Sequence, residues 1–211
     1  MSPGATMERV YTDIKARVMA GEFTPGSRID PGQLAADLGT SATPVRDALH
    51  RLAGERLVDS WHHEGFRQPI VSEADLRDLY AWTAALLGHA LRARAAFPTT
   101  PEAPFAGADG DDYPARLARL FQSIALFSGN REVRHAIGNV VDRSHMFRDI
   151  ERQTDPMCLE AVRELEESFR HGRWPELRTR INAFHRRRAA RAGHVGATLR
   201  DIQNIMYEEG A

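Results

Sequence analysis

Residues 25–65, PGSRIDPGQLAADLGTSATPVRDALHRLAGERLVDSWHHEG, decide the fold of this chain. A helix is expected to start at Pro31, where Leu34, Ala35 and Leu38 fall on one apolar stripe. Asp30 before it and Gln33 after it give a D-x-x-Q start, with Pro at the first helical position, where its missing N–H costs nothing. Gly39 ends that helix in a left-handed conformation. Thr43-Pro44 then repeats the cap-plus-Pro signal and is expected to open a second helix, with Val45, Ala48, Leu49 and Leu52 buried. Arg46, Asp47, His50 and Arg51 are left facing outward. Two short helices, a tight turn and a polar face on the second make the pattern of a recognition helix. Leu57–Trp61 and Phe66–Ile70 read as short strands flanking the turn His62-His63-Glu64-Gly65. The whole block is therefore a winged helix-turn-helix of α+β class.

Composition sets bounds on what this block can do. With 211 residues there is mass for one large or two small domains. The formal net charge is −1, and residues 1–71 hold 8 basic against 9 acidic side chains, so no basic lobe advertises nucleic acid. The DNA reading rests on the motif, and weak non-specific attraction calls for two half-sites read together. A single cysteine, Cys158, excludes an internal disulfide and a cysteine-based zinc site. Residues 1–7 lack a signal-peptide core and no apolar run approaches a membrane span, so a cytoplasmic location without membrane contact is expected. No nucleophile–base pair, metal set or phosphate loop points to an enzyme, and no catalytic residue is assigned.

The N-terminal block closely resembles the DNA-binding domain of GntR-type bacterial transcription regulators, over about residues 8–71. The residues that carry the resemblance are G-x-F-x-P-G-S-R-I at Gly21–Ile29, LA-x-x-LG-x-S at Leu34–Ser41 and T-P-V-R-x-AL-x-RL at Thr43–Leu52. It implies that Ser41, Thr43, Pro44 and Arg46 contact DNA, that Gly65 stands at the tip of a wing entering the minor groove, and that Arg28 lies near the phosphate backbone. Hydroxyls and free N–H groups suit phosphate oxygens, and Arg46 can fork onto guanine O6 and N7. His50 lies one turn further along the same face, where a solvated surface histidine is the competing reading. Two departures stand out. Ala42 occupies the turn position where most members carry a base-reading arginine, and Gly32 replaces a longer polar residue.

From Ser72-Glu73-Ala74-Asp75, an S-x-x-D helix start, the chain reads as helices only, over 73–96, 114–128, 131–151, 156–171, 174–193 and 195–208. Leu76, Leu79, Trp82, Thr83, Leu86 and Leu87 form the apolar face of the first, and Leu117, Leu120, Phe121, Ile124 and Phe127 that of the second. Val133, Ile137, Val140, Val141 and Ser144 line the third. Residues 97–113 are rich in Pro, Gly and Asp and read as a loop. The expected organisation is a DNA-binding domain at 1–71 and an all-α helical bundle at 72–211 that supplies a homodimer.

An all-helical domain behind such a head resembles the FCD-type (FadR-like) subgroup, whose bundle dimerises and binds a small effector. Ser128-Gly129-Asn130 fits that subgroup's helix break and His185 its last conserved histidine. Many members hold a divalent metal through an Asp, a His four residues on and two further histidines. Those positions fall here on Leu117, Phe121, a residue near Arg163, and His185. Neither a Leu nor a Phe coordinates a cation, so no metal and no cofactor is expected. The bundle centre is then either packed shut by Leu117 and Phe121, or a metal-free pocket for a small organic effector. In the second case His185, His135 and Asn139 are its polar handles. Each of these three reads equally as an ordinary core or surface residue, and the Arg-rich tract His185–Arg191 as a solvated helix face.

Overall fold

The computed structural model describes residues 3–61, 65–93 and 112–209. The expected wing turn 62–64 and most of the expected loop 97–113 lie outside them. The chain divides into two compact units, Met1–Val71 with Leu199–Ala211, and Ser72–Thr198. The expected second domain ran on to 211.

The first unit comprises α1 (Pro3–Met19), β1 (Arg28–Ile29), α2 (Pro31–Asp37), α3 (Ala42–Gly54), β2 (Asp59–Trp61) and β3 (Gly65–Arg67). Its core joins Val10, Ile14 and Val18 of α1 to Leu34, Val45, Leu49 and Leu52, closed on one side by Ile29 and Phe66 of the sheet. α2 starts as expected: the Asp30 carboxylate accepts from the N–H groups of Gly32 at 2.6 Å and Gln33 at 3.2 Å. It ends at Gly39, whose φ of +60° lets the chain turn directly into α3.

α3 differs from its expected start. It begins at Ala42 with Ser41 as N-cap, so Pro44 occupies the third helical position rather than the first. Any of the first turn's N–H groups lacks an intrahelical partner, so Pro is tolerated there as well as at the first position. At its other end Arg56 takes φ +59° and the N–H of Leu57 bonds the carbonyl of Leu52, a left-handed stop made without glycine.

The three strands form an antiparallel sheet in the order β1-β3-β2, in the register Ile29↔Phe66↔Ser60 and Arg28↔Arg67↔Asp59, with Trp61 opposite Gly65. β1 escapes sequence reading because two residues show no alternation. The expected second wing strand stops at Arg67, before Pro69, which has no N–H to donate. Leu57 and Val58 are buried in the approach to β2 instead of starting it. Strand alternation sends Ile29 and Phe66 inward and sets Arg28, Arg67, Asp59 and Trp61 on the opposite, solvent face.

The second unit contains α4 (Glu73–Ala93), α5 (Tyr113–Leu126), α6 (Arg131–Thr154), α7 (Cys158–Arg170) and, as far as Thr198, α8 (Trp174–Glu209). Ser72 and Asp75 cap α4 reciprocally: Asp75 accepts from the Ser72 N–H at 2.9 Å, and its own N–H donates to Ser72 Oγ at 3.2 Å. The Ser128-Gly129-Asn130 break separates α5 from α6, with Asn130 Oδ1 accepting from the Glu132 N–H at 2.9 Å. Leu117, Leu120, Phe121, Ile124 and Phe127 are all buried, whereas Trp82, at the edge of the α4 stripe, stays 52% exposed.

The two helices expected at 174–193 and 195–208 are one helix of 36 residues. Gly193 does not stop it. A Cβ there would stand 3.1 Å from the Glu73 carboxylate, so the glycine serves close packing against α4. With no Pro near 194, nothing interrupts the helix.

Candidate nucleic-acid interface

The buried stripe Val45/Ala48/Leu49/Leu52 fixes which face of α3 meets water. On that face Ser41, Thr43, Arg46, Asp47 and His50 are exposed and Pro44 is half-buried. Ser41 makes no side-chain capping bond, so the first turn of α3 has no closing bond from its own N-cap side chain. Arg46 stands one turn in. Its cation and that of Arg28 both act on Asp30, whose carboxyl is held below its usual range first by the N–H groups of Gln33 and Gly32 and then by these two guanidinium groups. Arg28 of β1 and Arg46 of α3, far apart in sequence, thus both favour the ionised form of one acidic N-cap.

His50 leaves α3 toward the sheet, its ring 4.9 Å from that of Phe66 in an edge-to-face arrangement. This contact joins the recognition helix to the wing. Gly65, at φ +85°, opens β3, and the Arg28 Nε passes 3.9 Å from where a Cβ on Gly65 would sit. Arg51, outward in the sequence pattern, is engaged within the unit: it donates to Glu8 at 3.0 Å and lies 3.5 Å over the Tyr11 ring. The structure therefore gathers Ser41, Thr43, Pro44, Arg46 and His50 on α3, with Arg28 and Gly65 alongside.

The residues proposed for an effector are not gathered in this way. His135 is exposed on α6 and Asn139 is half-buried one turn further on. His185 is buried, and its Nδ1 lies 2.9 Å from the Ile181 carbonyl, to which it donates. Burial drives its pKa down to about 3, helped by the charges of Arg188 and Arg148, so the ring is neutral at ordinary pH. Leu117 and Phe121 are buried, and the Phe121 ring lies tilted 5.6 Å from the His185 ring. Arg163 is exposed beside Glu160, 3.6 Å away. One neutral histidine packed on a phenyl ring is no donor set for a divalent cation, and the residues present do not fit one. Among the described residues no cluster of three or more His, Cys, Asp or Glu side chains could hold a metal ion. A groove of about 420 Å3 opens next to His185, between Ala81 and Ala84 of α4 and Thr179, Asn182, Arg186 and Ala189 of α8.

Sequence reading missed a buried ionic network in this unit. Glu151 of α6 accepts from the Tyr80 hydroxyl at 2.7 Å, the Tyr113 hydroxyl at 2.8 Å and Arg188 Nε at 3.2 Å. Burial and the Glu151 charge hold both phenols protonated, well above their usual range. Arg148 is also fully enclosed, donating to the Pro114 carbonyl and to Ser144 Oγ. The signal was present: Arg148, Glu151 and Asp155 continue the apolar stripe Ile137/Val140/Val141/Ser144 at helical spacing. The Arg-rich tract of α8 is largely absorbed here, since Arg188 is buried, Arg187 pairs with Asp155 at 3.2 Å and Arg191 donates to the Thr154 carbonyl.

Comparison with known proteins follows this division. The family model for bacterial regulatory proteins of the gntR family matches residues 6–67. The Nta operon transcriptional regulator of Aminobacter aminovorans is 28% identical over 158 residues, 75% of this chain and 69% of that protein. The HTH-type transcriptional regulator McbR of Escherichia coli is 34% identical over 71 residues, 34% of this chain but only 32% of its own length. Two solved structures are similar: E. coli McbR/YncC, with a TM-score of 0.64 at 18% identity, and a GntR regulator of Rhodococcus sp. RHA1, with 0.66 at 17%. They cover 89% of this chain and 96% and 97% of their own. These likenesses establish the fold across both units. Among the described residues no helix is long and apolar enough to cross a membrane.

Proposed function

We propose that this chain, which carries a gntR-family DNA-binding domain at residues 6–67, is a DNA-binding transcriptional regulator that works as a cytoplasmic homodimer on a pseudo-palindromic operator. It is a regulator and not an enzyme, as its relatives are. The observation that carries the reading is the exposed face of α3, with Arg46 beside the unspent Ser41 hydroxyl and the first-turn N–H groups. Ser41, Thr43 and those N–H groups fix the helix on phosphates, and Arg46 reads a guanine in the major groove. His50, braced on Phe66, faces the following base or phosphate. Arg28 and Gly65 bring the wing to the backbone. With Ala42 where a second arginine commonly stands, base discrimination falls more heavily on Arg46.

Selection of duplexes from a random pool with the full chain tests this. The expected outcome is a motif with twofold symmetry, whose half-site spacing reports the dimer; recovery of no enriched sequence would refute it. The all-helical second unit, its Ser128-Gly129-Asn130 break and the place of His185 support an FCD-type domain whose metal site has degenerated. Two readings of its role compete. The groove beside His185 favours a metal-free site for a small organic effector, since its volume is that of an ordinary ligand pocket. The packed Leu117, Phe121 and His185 favour a ligand-independent DNA-binding, architectural or interaction protein whose effector pocket is packed shut. A small molecule that raises the melting temperature and changes operator affinity selects the first, because only differential binding shifts a switch.

A further inference from the structure

Trp61 closes β2 with 59% of its surface exposed, a large apolar side chain that the core of its unit does not use. Its cross-strand partner is Gly65, which offers no side chain to cover the indole. Cross-strand aromatics normally rest on a β-branched or aromatic neighbour, so this pairing does little for the sheet. The same solvent face carries Arg28 and Arg67, facing each other across β1 and β3, with Asp59 beyond. Arg67 is tied to the Gly26 carbonyl, while the Arg28 Nε passes 3.9 Å from where a Cβ on Gly65 would sit. Arg28 thus passes close to Gly65, the cross-strand partner of Trp61, so a cation and an exposed indole share one face of the sheet.

We propose that Trp61 is a DNA-contacting residue: its indole lies against the sugar and base edges of the minor groove while Arg28 holds the adjoining phosphate. The inference rests on the DNA-binding reading above and extends it to a residue outside the α3 face. A flat aromatic beside a guanidinium is suited to a polyanion with apolar walls, where the ring gains contact area and the cation meets phosphate. The two arginines on this face, Arg28 and Arg67, favour a polyanion such as DNA over a protein partner.

The test uses the full chain with the duplex recovered by selection, and compares wild type, Trp61→Ala, Trp61→Phe and Arg46→Ala by anisotropy and tryptophan fluorescence. Trp61→Ala should weaken binding about tenfold and Trp61→Phe much less, since a phenyl ring keeps most of the flat apolar contact. Duplex should change the emission of wild type, and Trp61→Phe should abolish that change while leaving Trp82 and Trp174 in place. Unaltered affinity in Trp61→Ala, or an emission change that survives Trp61→Phe, overturns the inference. Binding lost in Arg46→Ala but indifferent to Trp61 would refute this contact and leave the regulator reading standing. Failure of wild type to bind any duplex would sink both.

Discussion

Arg46 has no hydrogen-bond or ion-pair partner among the described residues, and its neighbour Val45 anchors the helix on the core side. Arg46→Ala should therefore leave circular dichroism and melting unchanged while costing about 1–3 kcal/mol of operator affinity. An unchanged titration in the folded variant would remove the base contact. His185 yields a prediction of opposite kind. Its folded pKa of about 3 lies below the ordinary histidine value of 6.5, so protons bind the unfolded chain more readily. Its contribution is complete above pH 6.5 and declines as pH falls toward 3; between pH 7 and 5 the chain should lose about 2 kcal/mol through this ring. Urea unfolding at both pH values should show the loss in wild type and a flatter profile in His185→Phe. Protein purified without a histidine tag should carry far less than one equivalent of metal by elemental analysis, because His185 spends Nδ1 on Ile181 and rests on Phe121.

Elements were legible where chain chemistry is local. Asp30-Pro31 and Gly39 marked both ends of α2, and Ser72 with Asp75 marked the start of α4, because each signal is a bond made within a few residues. The α3 start was misread by two residues since Ser41 and Thr43 are equally good caps and Pro44 fits either frame. β1 and the continuity of α8 were not legible: one depends on pairing with β3, the other on Gly193 packing against Glu73. The same holds for the interface. The α3 face could be read from periodicity, but the approach of Arg28 to Gly65 depends on sheet register. The largest omission, the carboxylate at the centre of α4, α5, α6 and α8, allows a direct test. Glu151→Gln keeps the shape and removes the charge opposite Arg188, leaving buried guanidinium groups unbalanced. It should lower stability by about 2–4 kcal/mol in denaturant titrations. A loss under half a kcal/mol would mean the network contributes hydrogen bonds and little charge balance.

At the scale of the whole molecule, charge is consistent with the proposed dimer: a chain with net charge −1 gathers little DNA by long-range attraction, and paired short-range contacts would compensate. Trp82, Leu126 and Met157 of the second unit each leave more than half their surface exposed, apolar area that one copy of the chain does not cover. Sedimentation of the full chain at micromolar concentration should show a dimer, and Arg46→Ala, altered only at the DNA face, should sediment identically. A monomer under those conditions would contradict the twofold reading.

Ser41 also carries a consequence for how α3 responds to its target. Its hydroxyl leaves the helix end open, so the first turn is held by covalent continuity and by Val45 rather than by a closing bond of its own. A phosphate oxygen arriving there completes what the chain left unfinished. On the reading proposed above, the bond that closes this helix end comes from the target and not from the chain.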